Sequence, residues 1–391
     1  DVGESTVRNY VRRLKLERGA PSERYLDLDW APGEAQADFG EADFYVGGVR
    51  TRMSFFVLAF PYSNVGIAQV FPGENAECVC QALRNIFEHV AGVPRRIVFD
   101  NAAGVGRRVG EAVRATEMFS AFAAHYGFAY SFCNPHAGHE KGSVENKVGY
   151  VRANLFVPVP SLSSPAAFNV RLLERSMALS DKPHWAKGES ELQLFVEDRF
   201  AMSGLPPAPF AAVRYEVRKA DKLGKVRVDG PHLYSSDPSL AGRELVCGIG
   251  ATTVTLATRD GAVVAEHPRA YGSAPTDTTD PASQLALLCA RPGAWSNSKV
   301  RSALPDGLRG HMDSLAKADL KAELRLMRDQ AAESGWAATV QAMAAALAAT
   351  GRVDRASVAV GAARIAGGAV SYDEAVDLSA YDSALASARG R

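Results

Sequence analysis

The 391-residue sequence carries 44 Lys and Arg against 44 Asp and Glu, a formal net charge of zero, which excludes a uniformly basic nucleic-acid coat and leaves local patches for any contact with a polyanion. With 47% hydrophobic residues the chain can bury its apolar side chains, and its length exceeds one ordinary core, so about two to four domains are expected. No run of about 18 apolar residues and no secretory signal is visible, and the cysteines at 78, 80, 133, 247 and 289 form no C-x-x-C pair, which predicts a soluble cytoplasmic protein whose thiols are small buried hydrophobes.

Residues 1–20 read as a helix, with Val7, Tyr10, Val11 and Leu14 at helical spacing. Arg8, Arg12 and Lys15 fall on another face, with Arg13 beside them. The stretch is either a solvated basic helix or the DNA-binding remnant of a helix-turn-helix, whose arginines grip phosphate.

Residues 21–157 change rhythm. AQADFGEADFYV and TRMSFFVLAFPYSNVGIAQVF read as strands joined by a turn at Gly47 and Gly48. ENAECVCQALRNIFEHVAG is an amphipathic helix, RRIVFDN a buried strand ending in an acid, EMFSAFAAHYG a helix, FAYSFCN a short strand and GSVENKVGYVR a final helix. This order predicts an α/β fold with a mixed sheet flanked by helices. A linker and helical bridge cover 158–210. Short strands over 211–272, separated by Gly and Asp turns, predict a small β-barrel. Residues 273–391 are helical and Ala-rich, suited to assembly or partner contact.

Three acids stand where element ends should present them: Asp38 in the first strand, Asp100 closing RRIVFD and Glu145 on the last helix of the 21–157 unit. Each alone reads as a solvated carboxylate or a helix-start residue. Jointly they offer a hard-oxygen site suited to magnesium, with manganese as a substitute, and to phosphoryl transfer between two such ions. Glu41, Asp43 and Glu140 are the nearby rivals. The cluster His136, His139 and Glu140 does not match the helical H-E-x-x-H zinc motif, since Gly138 predicts a loop there. AAGVGRR lacks the GKS or GKT of a phosphate-binding loop.

QADFGE, FDNA and NPHAGHEKGSVEN together resemble the Asp, Asp, Glu core of the retroviral-integrase superfamily, and more closely the IstA-type transposases of bacterial insertion sequences. The resemblance extends over nearly the whole chain, through KVRVDGPHLYS and RPGAWSNSKVRSALP. It implies an RNase H-like catalytic core and a DDE transposase that cleaves element ends and joins the 3′-hydroxyl to target DNA. The catalytic and metal-binding residues would be Asp38, Asp100 and Glu145. It also implies a homo-multimer bridging two ends, a bacterial nucleoid-associated location and a partner AAA+ ATPase of IstB type. A complete helix-turn-helix is expected ahead of residue 1. The alternative is a catalytically inactive DNA-binding regulator of the same fold, and a third reading is a nuclease that cuts without joining.

On the final helix Lys141, Glu145 and Arg152 share one face, because offsets of four and seven return to nearly the same angle. Lys141 and Arg152 are therefore expected to hold phosphates beside Glu145, while Lys147 points elsewhere and reads as a solvated lysine. Asn101, His136 and His139 are expected to line the DNA groove or orient metal-bound water. In the strand-rich segment Arg214, Arg218, Lys219, Lys222, Lys225 and Arg227 make a basic cluster with Tyr215 interleaved, either a solvated face or a DNA-backbone contact in which Arg218 and Lys225 take part.

Overall fold

A computed structural model describes Tyr10 and residues 30–99, 104–109, 112–133 and 138–367. The chain divides into two compact units, Asp1–Arg214 with Ile249–Thr253, and Tyr215–Gly248 with Val254–Arg391.

The first unit begins with three antiparallel strands, β1 (Glu34–Val46), β2 (Val49–Phe60) and β3 (Val65–Phe71). Gly47 and Gly48 have φ of 57° and 82°, the positive values that a two-residue turn matched to strand twist requires at both positions. Helix α1 (Ala76–Val90) starts at Asn75, whose side chain accepts the Cys78 N–H. Strand β4 (Arg96–Phe99) lies parallel to β1. A hairpin of β5 (Gly106–Val109) and β6 (Ala112–Ala115) follows, then α2 (Glu117–Tyr126), β7 (Ala129–Phe132), α3 (Gly138–Leu155), β8 (Ser161–Leu162), α4 (Pro165–Ala178) and α5 (Glu191–Ala201).

The main sheet has the order β3-β2-β1-β4-β7, with β8 also paired to β1. Its antiparallel half, β1 to β3, and parallel half, β1 with β4 and β4 with β7, give the mixed α/β sheet flanked by helices that the sequence predicts. The five cysteines are free and buried, as expected. The β5–β6 hairpin was not foreseen: two four-residue strands with adjacent arginines carry no usable alternation. It follows Gly104, whose φ is 79° and where a Cβ would fall 1.8 Å from the Glu74 carbonyl oxygen, so glycine is required to seat this segment beside the start of α1.

What seats α3 on the sheet is a row of apolar side chains. Val144, Val148, Val151 and Leu155 are buried with Ala42 and Phe44 of β1, Met53, Phe55, Val57 and Ala59 of β2, and Ala68 and Val70 of β3. Each such side chain contributes about 1.5–3 kcal/mol when fully buried. The approach is close enough to need glycine. At Gly40 of β1 a Cβ would meet Phe55 Cζ at 2.5 Å and Val148 Cγ1 at 2.6 Å, and at Gly66 of β3 it would meet Lys147 Cγ at 2.5 Å.

In the second unit the expected strands are present: β9 (Arg214–Lys219), β10 (Lys225–Val228), β11 (His232–Ser235), β12 (Glu244–Ile249), β13 (Thr253–Ala257) and β14 (Val263–Pro268). With β15 (Thr276–Thr278) they form two ladders, β10-β11-β15 and β14-β13-β12-β9, the last strand lying past the expected boundary at 272. Helices α6 (Leu285–Ala290), α7 (Lys299–Ser302), α8 (Asp306–Ser314), α9 (Lys317–Ser334), α10 (Trp336–Thr350) and α11 (Arg355–Ala366) close over a core that includes Trp295, Leu308, Met312, Leu324, Met327 and Met343. Among the described residues no helix is long and apolar enough to cross a membrane.

Lys225 is buried and paired, contrary to the expectation that it grips DNA. Its side chain is only 6% exposed, and its ammonium donates to both Asp277 oxygens at 2.7 Å. Lys299 donates to the same carboxylate at 2.8 Å. Lysine and aspartate thus tie β10, β15 and α7 together, because a buried ammonium persists only when paired. Arg214 likewise engages Glu77, at 2.8 Å.

Gly40→Ala is expected to destabilise the chain by about 1–3 kcal/mol in urea unfolding, the range for overpacking a close contact. Burial raises the Asp277 carboxyl, but hydrogen bonds from Lys225, Lys299 and Thr279 outweigh it and hold the group below its ordinary range. A depressed folded value means that the pair stabilises above the unfolded carboxylate pKa of about 3.9 and fades as pH falls below it. Asp277→Asn should therefore cost about 1–3 kcal/mol at pH 7, less than a fully buried pair. It should also flatten the loss of stability that wild type shows in urea melts between about pH 5 and pH 3.

Candidate active site

Asp38 sits on the sheet face that α3 covers. It lies opposite Val57 on β2, a residue of the α3-covered core, and cross-strand partners share a face. Gly40, Ala42 and Phe44 follow on that face at every second residue. Asp38 is half-buried, and its Oδ1 accepts the Phe39 N–H at 2.8 Å.

Two contacts fix how α3 runs over β1. Gly40 lies beneath Val148, and the rings of Phe44 and Phe156 are 5.0 Å apart. Four strand residues advance about 13 Å and eight helical residues about 12 Å, so strand and helix travel together in one direction. Stepping back from Gly40 to Asp38, about 7 Å, corresponds to about four helical residues. The turn of α3 that carries position 145 therefore lies beside Asp38. On the other side of β1, the β4 ladder ends at the pair Ala37↔Phe99, one residue before Asp38 on one strand and one before Asp100 on the other.

The rivals near Asp38 are occupied. Glu41 pairs with Arg52 at 3.1 Å, and Asp43 with Arg50 at 2.6 Å. The hydrogen bond from Arg50 holds the Asp43 carboxyl below its usual range. These are exposed cross-strand pairs at the far end of the hairpin.

Of the other expected residues, Arg8, Arg12, Arg13, Lys15, Asp100, Asn101 and His136 lie outside the described residues. So do the side chains of His139, Lys141 and Glu145, although their positions on α3 are described. Because α3 begins at Gly138, the loop expected around His139 and Glu140 is the first turn of the helix; Gly138, a helix breaker by type, stands at a helix start. Arg152 is exposed, its guanidinium 5.8 Å from the Phe55 ring centroid. Arg218 is about half exposed and in close contact with Glu216. Among the described residues no group of three His, Cys, Asp or Glu side chains is gathered to hold a metal ion.

Lys147 overturns its expectation as a solvated lysine. It is 6% exposed, donates to the Asn64 carbonyl oxygen and stands 3.8 Å from Glu191 Oε2. Burial pushes its pKa down to about 8, against the opposing pull of Glu191. Glu191, 1% exposed, also accepts from Asn64 Nδ2 at 2.5 Å and faces Lys182 at 3.6 Å. Asn64 takes a left-handed φ of 61° in the β2–β3 turn, which asparagine tolerates. The signal available in sequence was Gly66, a glycine inside a strand that marks a close approach.

The family described as Mu transposase, C-terminal domain, matches residues 205–279. A transposase for insertion sequences IS1326/IS1353 of Pseudomonas aeruginosa is 28% identical over 293 residues, 73% of this chain and 57% of the relative. A transposase of Aminobacter aminovorans is 30% identical over 303 residues, 75% of this chain and 59% of the relative. The transposase for insertion sequence element IS21 of Pseudomonas aeruginosa is 25% identical over 244 residues, 62% of each. The chain thus spans less than two thirds of the length of these relatives. Among solved structures, the HTLV-2 integrase catalytic core domain in complex with magnesium is 15% identical at a TM-score of 0.32, covering 42% of this chain and 97% of that one. By its sequence, then, the chain is a relative of the insertion-sequence transposases of the IS1326 and IS21 type.

Proposed function

We propose that the chain is the catalytic part of a DNA transposase that cleaves insertion-sequence ends and joins the liberated 3′-hydroxyl to target DNA. The observation that carries this reading is the close run of α3 along β1, which brings the turn bearing position 145 beside Asp38, with β4 leading to Asp100 on the other side. Asp38, Asp100 and Glu145 are the residues that would hold magnesium, or manganese in its place, and three carboxylates suit such hard cations. A pair of such ions, when bound, stabilises charge on the attacking and leaving oxygens of phosphoryl transfer.

The chain's own residues supply position and charge. Lys141 and Arg152, four residues before and seven after position 145 along α3, hold phosphates flanking the scissile bond. Asn101, His136 and His139 line the groove. The basic segment 1–20, with Arg8, Arg12, Arg13 and Lys15, and Arg218 in the strand-rich region, contact DNA backbone; Lys225 is withdrawn from that role by its pairing with Asp277. The helical region from 273 onward serves assembly into a multimer that bridges two ends, and contact with an AAA+ ATPase of IstB type. The similarity to IS21 transposases supports both expectations. The site of action is the bacterial cytoplasm.

Cleavage and strand transfer of end-containing DNA with magnesium or manganese tests the reading. Asp38→Asn, Asp100→Asn and Glu145→Gln should each lower cleavage at least about a hundredfold while leaving DNA binding nearly intact, since losing a negative charge does not weaken attraction to phosphate. Glu140→Gln should retain activity. Normal cleavage by Asp100→Asn sinks the assignment, and a wild-type chain that binds end DNA but neither cuts it nor binds magnesium is the non-catalytic regulator instead.

A further inference from the structure

Resting on that reading, we propose that Lys147 is a positioning residue for the third carboxylate: anchored on β3, the β2–β3 turn and α5, it sets the rotation of α3 that carries position 145 to the β1 side of the sheet. The helix lies on the sheet through Val144, Val148, Val151 and Leu155. At 100° per residue, position 147 stands about 70° to one side of that stripe and position 145 about 90° to the other. The two flank the apolar seam, so any rotation that freed Lys147 would drive position 145 toward the sheet.

Apolar contact alone is non-directional and tolerates such a rotation. The lysine contacts are directional. Its stem crosses Gly66, where a Cβ would fall 2.5 Å from Lys147 Cγ and 2.6 Å from Cδ. Its ammonium donates to the Asn64 carbonyl at the turn and faces Glu191 at the start of α5. All three anchors lie on the side of α3 away from β1, since β3 is separated from β1 by β2. Lys182 offers an internal control. It faces the same Glu191, at 3.6 Å, and like Lys147 lies over the Tyr150 ring of α3, but it comes from the α4–α5 connection, so its loss leaves the Lys147 contacts with Gly66 and Asn64 in place.

Removal of Lys147 leaves Glu191 with Lys182 and Asn64, so Lys147→Met, close in length and apolar, is the variant of choice. The full chain is titrated with manganese by calorimetry, and cleavage of end DNA is measured as kcat and KM. Lys147→Met is expected to weaken manganese binding about tenfold or more and to lower kcat, with the KM for DNA held within about twofold. Lys147→Arg should recover part of both losses, and Lys182→Met should match wild type. Should Lys147→Met not fold, Gly66→Ala, which displaces the stem and keeps the charge, is titrated in its place with the same expected weakening. Wild-type manganese affinity in the variant, or equal losses in Lys147→Met and Lys182→Met, would overturn the proposal while leaving the transposase reading intact. A wild-type chain that neither binds manganese nor cleaves overturns the reading beneath it.

Discussion

The candidate site depends on one contact, the seating of α3 in gaps that two strands leave open. Gly40 of β1 admits Val148, and Gly66 of β3 admits the stem of Lys147. Adjacent positions of one helix turn therefore rest on strands separated by β2. Side chains at either glycine would lift the helix by a few tenths of an ångström or more, in a core that packs as densely as a crystal and yields little. The placement of position 145 beside Asp38 follows from this closeness, because it aligns the helix with β1 residue by residue.

The same contact gives the sequence motifs a physical meaning. In QADFGE the acid and the glycine occupy one face, two residues apart, and the glycine receives the helix. In GSVENK the valine packs inward and the lysine is buried beside it, so position 145 is bracketed by one apolar and one charged anchor. The Lys147 contacts with Gly66, Asn64 and Glu191 restrain this turn from three elements. Glu41 and Asp43 alternate to the opposite face of β1 from Asp38, where arginines pair with them.

Much of this was legible in the sequence and some was not. Strands β1 to β3, the Gly47–Gly48 turn and helices α1 and α2 announce themselves by periodicity and turn chemistry, and the mixed sheet follows from their order. The start of α3 did not, because Gly138 imitates a helix breaker; nor did the β5–β6 hairpin, too short to alternate. Lys147 and Lys225 were read as surface charges for a common reason. A lysine's type favours solvent, and its burial is decided by an acid far away in sequence, Glu191 in one case and Asp277 in the other. Such pairing is long-range information that no local window contains. Gly66, which lies beneath the Lys147 stem, is a visible trace of the first pair alone.

The central claim is that Asp38 and Glu145 meet at one cation. Anomalous diffraction from crystals of the chain soaked in manganese tests it most directly. A single peak, or a close pair, within about 2.2 Å of carboxylate oxygens from both residues is the expected result, metal–oxygen distances of this order being usual for small divalent cations. A well-occupied manganese bound by Glu140, Glu41 or Asp43, with Asp38 and Glu145 apart, would contradict it.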